Sequence, residues 1–170
     1  EAGVLHIYVG VESASQETLD RWGKNIKIES SRQAIELINE ADIISETSFV
    51  LGMPEETPAS IASALDLAKH YNPDLVFFLA IAPWPYSDIY PEIKEHVVSS
   101  DYRKYNLVEP VIKPISMTLD ELSGALKSAF RDFYMDKLRR LDFLTPFKRE
   151  YMVKVTKLLA EHSYLKDQMK

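Results

Sequence analysis

The segment 75–81, Leu-Val-Phe-Phe-Leu-Ala-Ile, is apolar at every position. A strand turns alternate side chains to opposite faces, so such a run must be covered on both sides. That is the condition of a strand inside a parallel α/β sheet rather than of a hairpin with one wet face. Two earlier segments fit beside it. Residues 5–11 alternate Leu5, Ile7, Val9 and Val11 with His6, Tyr8 and Gly10, and residues 44–51 read as a second strand. Helix patterns separate them. A short one covers 16–22 and ends near Gly23. A longer one covers 30–41, with Ala34, Ile35, Ile38 and Ala41 on one face and Asp42 at the left-handed stop. A third opens at Thr57-Pro58, which read as N-cap and first helical position, and presents Ile61, Ala64, Leu65 and Ala68. Strand–helix–strand–helix–strand order predicts a parallel sheet in the order of the chain.

After Ala82 the character changes. Pro83, Pro85, Pro91, Pro110 and Pro114 punctuate a looser stretch. A long helix is expected from Thr118, with Glu121 completing a capping box and Met117 and Leu122 as its hydrophobic staple. Leu119, Leu122, Leu126, Ala129 and Phe133 form its core face. A last helix opens at Thr145-Pro146 and places Tyr151, Val155, Leu158 and His162 on one side. Lys127, Arg131, Lys137, Arg139, Arg140, Lys148 and Arg149 read as solvated helix faces. The division expected is an α/β unit over 1–98 and a linker with a helical extension over 99–170.

Composition removes several function classes. The chain has no cysteine, which excludes disulfides, thiolate metal sites and cysteine nucleophiles within it. His6, His70, His96 and His162 have no metal-ligand spacing, so no metal site is expected. No apolar run approaches the ~18 residues of a membrane span. Net charge is −10 over residues 1–100 and +4 over 101–170, and an acidic chain argues against general nucleic-acid binding. No leader pattern opens the sequence, and a cytoplasmic setting is expected. The first residue is Glu1 rather than Met, so the chain reads as part of a longer polypeptide.

Unusual residues gather at the three strand ends: Gly10-Val11-Glu12-Ser13 leading to Lys24-Asn25, Ser48 through Thr57, and Ala82-Pro83-Trp84-Pro85-Tyr86. In α/β sheets and barrels, ligands bind at the carboxyl-terminal ends of the strands. The series GVESASQETLDRWGKN, SFVLGMPEET and FFLAIAPWPYSDIY resembles the second half of a radical S-adenosylmethionine (SAM) barrel. With the tail YNLVEPVIKPISMTLDEL, it is most similar to the cobalamin-binding branch, which includes an anaerobic oxidative cyclase acting on a porphyrin ester. The likeness spans roughly residues 1–140.

The resemblance implies an α/β fold made of three parallel βα units of a TIM-like barrel, with a helical C-terminal extension. It implies a parent oxidoreductase that cleaves SAM reductively and takes a hydrogen atom from a small-molecule substrate. Glu12 stands where the family contacts the SAM ribose, and Lys24 where it holds the SAM carboxylate. In the family's G-x-I-x-G-x-x-E pattern, Ser48 replaces the first Gly, Val50 replaces the Ile that touches adenine, and Gly52 and Glu55 match. Backbone near Ala80 would meet adenine. The family's Cys-x-x-x-Cys-x-x-Cys motif would precede residue 1. The [4Fe–4S] cluster and cobalamin would then belong to a missing N-terminal barrel half and cobalamin domain. Neither activity nor a bound cofactor is expected of this chain alone. Pro85-Tyr86-Ser87-Asp88 stands where many relatives have Pro-Gly-Thr.

Other readings of the same residues stay open. Glu12 can cap the next helix, Lys24 can be a solvated helix-end lysine, and Ser48 and Val50 can be plain barrel interior. Trp84 and Tyr86 line a substrate pocket or only pack a loop. A radical SAM methyl- or methylthiotransferase shares the same barrel signals, and a non-catalytic half-barrel module is the rival of another class. The strand at 5–11 leaves an edge open, a template for pairing two copies as a homodimer unless the last helix folds over the opening.

Overall fold

The computed structural model describes residues 3–162. Three strands, β1 (His6–Glu12), β2 (Ile44–Leu51) and β3 (Leu75–Ala80), form an open, all-parallel sheet in the order β1-β2-β3. This is the expected α/β class and strand order. Helices α1 (Gln16–Arg21), α2 (Ile28–Glu40) and α3 (Pro58–Tyr71) connect them, and α4 (Tyr90–Ile93), α5 (Leu119–Arg139) and α6 (Pro146–His162) follow.

The helix ends carry the anticipated chemistry. Thr57 caps α3 with Pro58 first inside, and Ser60 completes a capping box. Thr118 and Glu121 do the same for α5, and the bonds from Thr118 hold the Glu121 carboxyl below its usual range. Asp42 takes φ 55°, and the amides of Asp42 and Ile43 close onto the carbonyls of Asn39 and Ile38, satisfying the end of α2.

One sheet face is dry. Thr47, Phe49 and Leu51 of β2 and Val76, Phe78 and Ala80 of β3 are buried there, with Phe49 and Phe78 stacked at 5.7 Å. Ile35, Ile61, Leu122, Phe130, Phe133 and Tyr134 complete this core. The other face is wetter: Tyr8 is exposed, and Val50, Phe77 and Leu79 are half-buried.

α5 packs beside α3 and also closes the free edge of β3. The Tyr134 hydroxyl accepts from the Val76 amide and donates to the Val76 carbonyl, both at 3.2 Å. A buried amide left unpaired costs its desolvation. Tyr134→Phe is therefore expected to destabilise the fold by about 1–3 kcal/mol, read by urea denaturation. An unchanged midpoint would mean that this edge gains nothing from the hydroxyl.

The segment after β3 folds back over the carboxyl-terminal end of the sheet. Val97 bridges Ile112 in antiparallel sense, the Ala80 amide donates to the Leu107 carbonyl, and the Ile115 amide donates to the Pro54 carbonyl. A division at residue 98 falls inside this bridge.

Two expectations are corrected at the opposite end. Lys137 and Lys148, read as solvated, are each 4% exposed. Lys148 pairs with buried Asp74 at 2.6 Å and donates to Asn39 at 2.8 Å. Lys137 donates to the Asn72 side chain at 2.6 Å. The buried seam of α6 is consequently Lys148, Met152 and Thr156, with Tyr151, Val155 and Leu159 beside it, while Leu158 is exposed. The Asp74 carboxylate draws a charged residue into the seam, so the apolar pattern placed Tyr151 and Val155 against the core but missed Lys148 and wrongly included Leu158. The side chain of His162 lies outside the described residues. α6 thereby sits at the amino-terminal ends of the strands, with Tyr151 edge-on to His6 at 6.2 Å.

Candidate functional site

The carboxyl-terminal end of the sheet holds a cavity of about 410 Å³. Its position follows from two local devices. The first is a bulge in β1. Gly10 pairs with Ser48, but Glu12 pairs with Phe49, so β1 spends one residue more than β2. Val11 stays buried in the core while Glu12 takes φ 68°, unusual for a residue with a side chain. Bulges re-aim side chains in this way. The Glu12 carboxylate folds back over Gly10, where a Cβ would stand 2.6 Å from Oε1. Glycine is what lets the carboxylate lie there.

The second device ends α1. Gly23 takes φ 66°, its amide closes onto the Asp20 carbonyl, and the Lys24 amide closes onto the Leu19 carbonyl. These paired bonds are a Schellman stop. They fix the backbone of Lys24 so that Nζ reaches Glu12 Oε1 at 3.2 Å. The other acidic residue on this sheet face, Glu46, meets His6 at 2.7 Å.

The five expected site residues are placed unequally. Glu12, Lys24 and Val50 line the one cavity. Ser48 faces the same side of the sheet one layer lower, is 1% exposed, and is hydrogen-bonded to the Tyr8 hydroxyl. Ala80 is buried, and its amide is committed to Leu107 at 2.9 Å. The next residue, Ile81, lines the cavity.

The wall also holds Arg21, Trp22 and Asp88, which sequence reasoning left out. Arg21 and Trp22 directly precede Gly23-Lys24, so the helix stop that was recognised carries them to the rim. Glu55, which matches the family pattern, is exposed and pairs with Arg21. Its neighbour Glu56 is the buried one. It accepts the Gly52 amide at 2.8 Å and is hydrogen-bonded to Ser60 at the start of α3. Gly52 itself takes φ 92°. This turn carries the chain from β2 into α3 and leaves Val50 on the cavity floor.

The site therefore offers three carboxylates that accept hydrogen bonds, Glu12, Asp88 and Glu92, two cations, Arg21 and Lys24, and apolar walls from Val50, Trp22 and Ile81. Such a set suits a ligand with hydroxyls, a carboxylate and a flat apolar part. Among the described residues, no group of three or more His, Cys, Asp or Glu can hold a metal ion. No described helix is long and apolar enough to cross a membrane.

Residues 1–68, which include Glu12, Lys24 and Val50, match the family model "Radical SAM superfamily". The chain carries a radical SAM segment. Its similarity to curated proteins extends further along the chain. It is 35% identical over 137 residues to the anaerobic magnesium-protoporphyrin IX monomethyl ester cyclase of Rubrivivax gelatinosus, covering 81% of this chain and 25% of that protein. It is 36% identical over the same length to the cyclase of that name from Cereibacter sphaeroides, covering 81% of this chain and 22% of that protein. A protein named as an uncharacterized methyltransferase of Pyrococcus horikoshii is 28% identical over 137 residues, covering 79% of this chain and 30% of that protein. The chain thus spans between a fifth and a third of the length of these relatives. The radical SAM segment contains β1, β2 and one wall of the cavity, Glu12, Arg21, Trp22, Lys24 and Val50, while β3 and the facing residues Ile81 to Glu92 lie beyond it.

Proposed function

We propose that this chain supplies the SAM-facing part of a radical SAM oxidoreductase whose parent is an oxidative cyclase acting on a porphyrin ester. The observation that carries the reading is the Glu12–Lys24 pair at the mouth of the cavity, within the radical SAM segment. Lys24 would take the SAM carboxylate by charge. Glu12 would accept the ribose hydroxyls. Val50 and the backbone of β3 at Ala80 and Ile81 would flank the adenine. Ser48, under Tyr8, would act as a support of the floor. The two cyclase relatives favour the porphyrin-ester substrate.

These residues fit SAM, but none fits an iron–sulfur cluster. Thiolates hold such clusters, and the chain has no cysteine. The cluster, and the cobalamin of this branch, would be held by a preceding barrel half and cobalamin domain. The edge of β1 is where that barrel half would pair, or a second copy in its absence. Bound SAM, with a reduced cluster, supplies hydrogen-atom abstraction from substrate; this chain's residues bind and orient the SAM. A cytoplasmic setting goes with this reading.

The relative named as a methyltransferase favours a second reading, in which the same cavity serves methyl transfer. Product analysis of the parent separates the two. For this chain, anaerobic reconstitution with iron and sulfide is expected to leave no stoichiometric iron and no SAM cleavage. A stoichiometric, SAM-cleaving cluster would overturn the assignment.

A further inference from the structure

The loop that leaves β3 presents aromatic rings to solvent beside the cavity. Trp84 and Tyr86 lie nearly parallel, 18° apart with centroids at 6.1 Å, an offset stack. Tyr86 is 83% exposed and Tyr102 is 62% exposed. With Pro85 they line an open cavity of about 460 Å³. No charged residue is among these four. The next residues of the same loop, Ser87 and Asp88, line the cavity of Glu12 and Lys24. Successive residues of one loop therefore line the two concavities.

The exposed rings stand on a fixed base. Tyr105 is buried, its hydroxyl donates to the Ser99 carbonyl at 2.9 Å, and burial pushes its phenol up. It meets Trp84 edge-on at 5.6 Å and Tyr102 edge-on at 5.1 Å. The Trp84 carbonyl accepts from both the amide and the hydroxyl of Ser87. Loop packing accounts for Tyr105 and for the covered part of Trp84. It does not account for Tyr86, which buries little of its surface. Exposed aromatic faces gathered in one patch are the pattern of a binding surface, and ring faces favour offset stacking on another π-system.

We propose that Trp84, Tyr86 and Tyr102 form a stacking platform for a planar, conjugated ring system of porphyrin class, and that this platform seats the substrate. It rests on the preceding reading for its place beside SAM. Stacking itself requires only the rings.

Metal-free protoporphyrin IX is the probe, followed by its Soret band and by tryptophan fluorescence. The chain has two tryptophans, Trp22 and Trp84. The expected result is saturable binding with a shifted Soret band. Trp84→Phe should keep most of the affinity, because a ring face remains. The pair Tyr86→Ala with Tyr102→Ala should weaken binding about tenfold or more. Both tyrosines are exposed, so that variant should keep its thermal midpoint. Bilirubin, a non-planar relative of the probe, should bind more weakly than protoporphyrin. The platform is overturned if the wild type binds no protoporphyrin, if bilirubin binds as well, or if the double tyrosine variant binds like the wild type. Amide shifts caused by SAM at Glu12 and Lys24, measured on that same variant, test the SAM reading separately. They should persist when porphyrin binding is lost.

Discussion

Asp74→Ala is expected to cost about 3–5 kcal/mol of folding stability. Asp74 is 2% exposed, and one carboxylate oxygen accepts from the Ser45 amide at 2.9 Å and from Lys148 Nζ at 2.6 Å, while the Ser45 hydroxyl, 3.2 Å away, donates to the nearer Asn39 Oδ1 at 2.8 Å. The Asp74 amide donates to Ser45 Oγ at 3.0 Å. The side chain thus joins the starts of β2 and β3 to α6. Truncation leaves Lys148 buried with only the Asn39 side chain at 2.8 Å to replace the lost charge. An uncompensated buried ammonium is the larger part of the cost, so the double change Asp74→Ala with Lys148→Met should be less damaging than Asp74→Ala alone. Urea denaturation of the three proteins decides this. Equal losses in the single and double variants would show that the ion pair is not what matters there.

Lys137 gives the second large effect, and it depends on pH. Burial pulls its ammonium down to about 8 from an ordinary value of 10.5, against the nearby Asp74 charge. Lys148 and Arg140 push it the same way as burial, and Asp136 opposes. A depressed lysine binds fewer protons in the folded chain than in the unfolded one between pH 8 and 10.5. Stability therefore rises with pH through that window; the penalty is fully present below it and absent above it. The span corresponds to about 3 kcal/mol. Tyr71, pushed up to about 12 by burial, acts in the opposite sense above pH 10, but it is common to both proteins and cancels in a difference. Lys137→Met should remove the lysine contribution, so the wild type gains on the variant as pH rises from 8 to 10.5. Parallel stability profiles would contradict the assignment.

Much of the fold is legible in the sequence because its signals are local. Residues 44–51 match β2 end to end, and Thr57-Pro58 and Thr118–Glu121 mark helix starts that lie where they are read. The start of α2 is different. It opens at Ile28, two residues before the expected Ser30, behind Lys27, which makes no side-chain cap. The Ile28 amide instead donates to the Gln16 side-chain oxygen at 3.1 Å. A cap supplied from α1 leaves no local trace. Lys137 and Lys148 mislead for a related reason, since their partners Asn72 and Asp74 are far away in the chain.

The candidate site divides along the same line. Glu12 and Lys24 stand out at a strand end and a helix stop. The bulge that turns Glu12 toward Lys24 has only Gly10 as its mark. Ile81 enters the cavity because its amide continues the β3 ladder onto the Leu51 carbonyl, and Asp88 enters it from the loop that follows.

SAM is expected to lie in the cavity of Glu12 and Lys24. Amide chemical-shift mapping of the isotopically labelled chain during a SAM titration tests it most directly. On the proposed reading a preceding barrel half would hold the rest of SAM, so weak but saturable shifts are expected, centred on Glu12, Lys24, Val50 and Ile81 and abolished by Lys24→Ala. Shifts centred instead on Asp74 and Lys148 at the other end of the sheet, or a profile that Lys24→Ala leaves unchanged, would contradict the account.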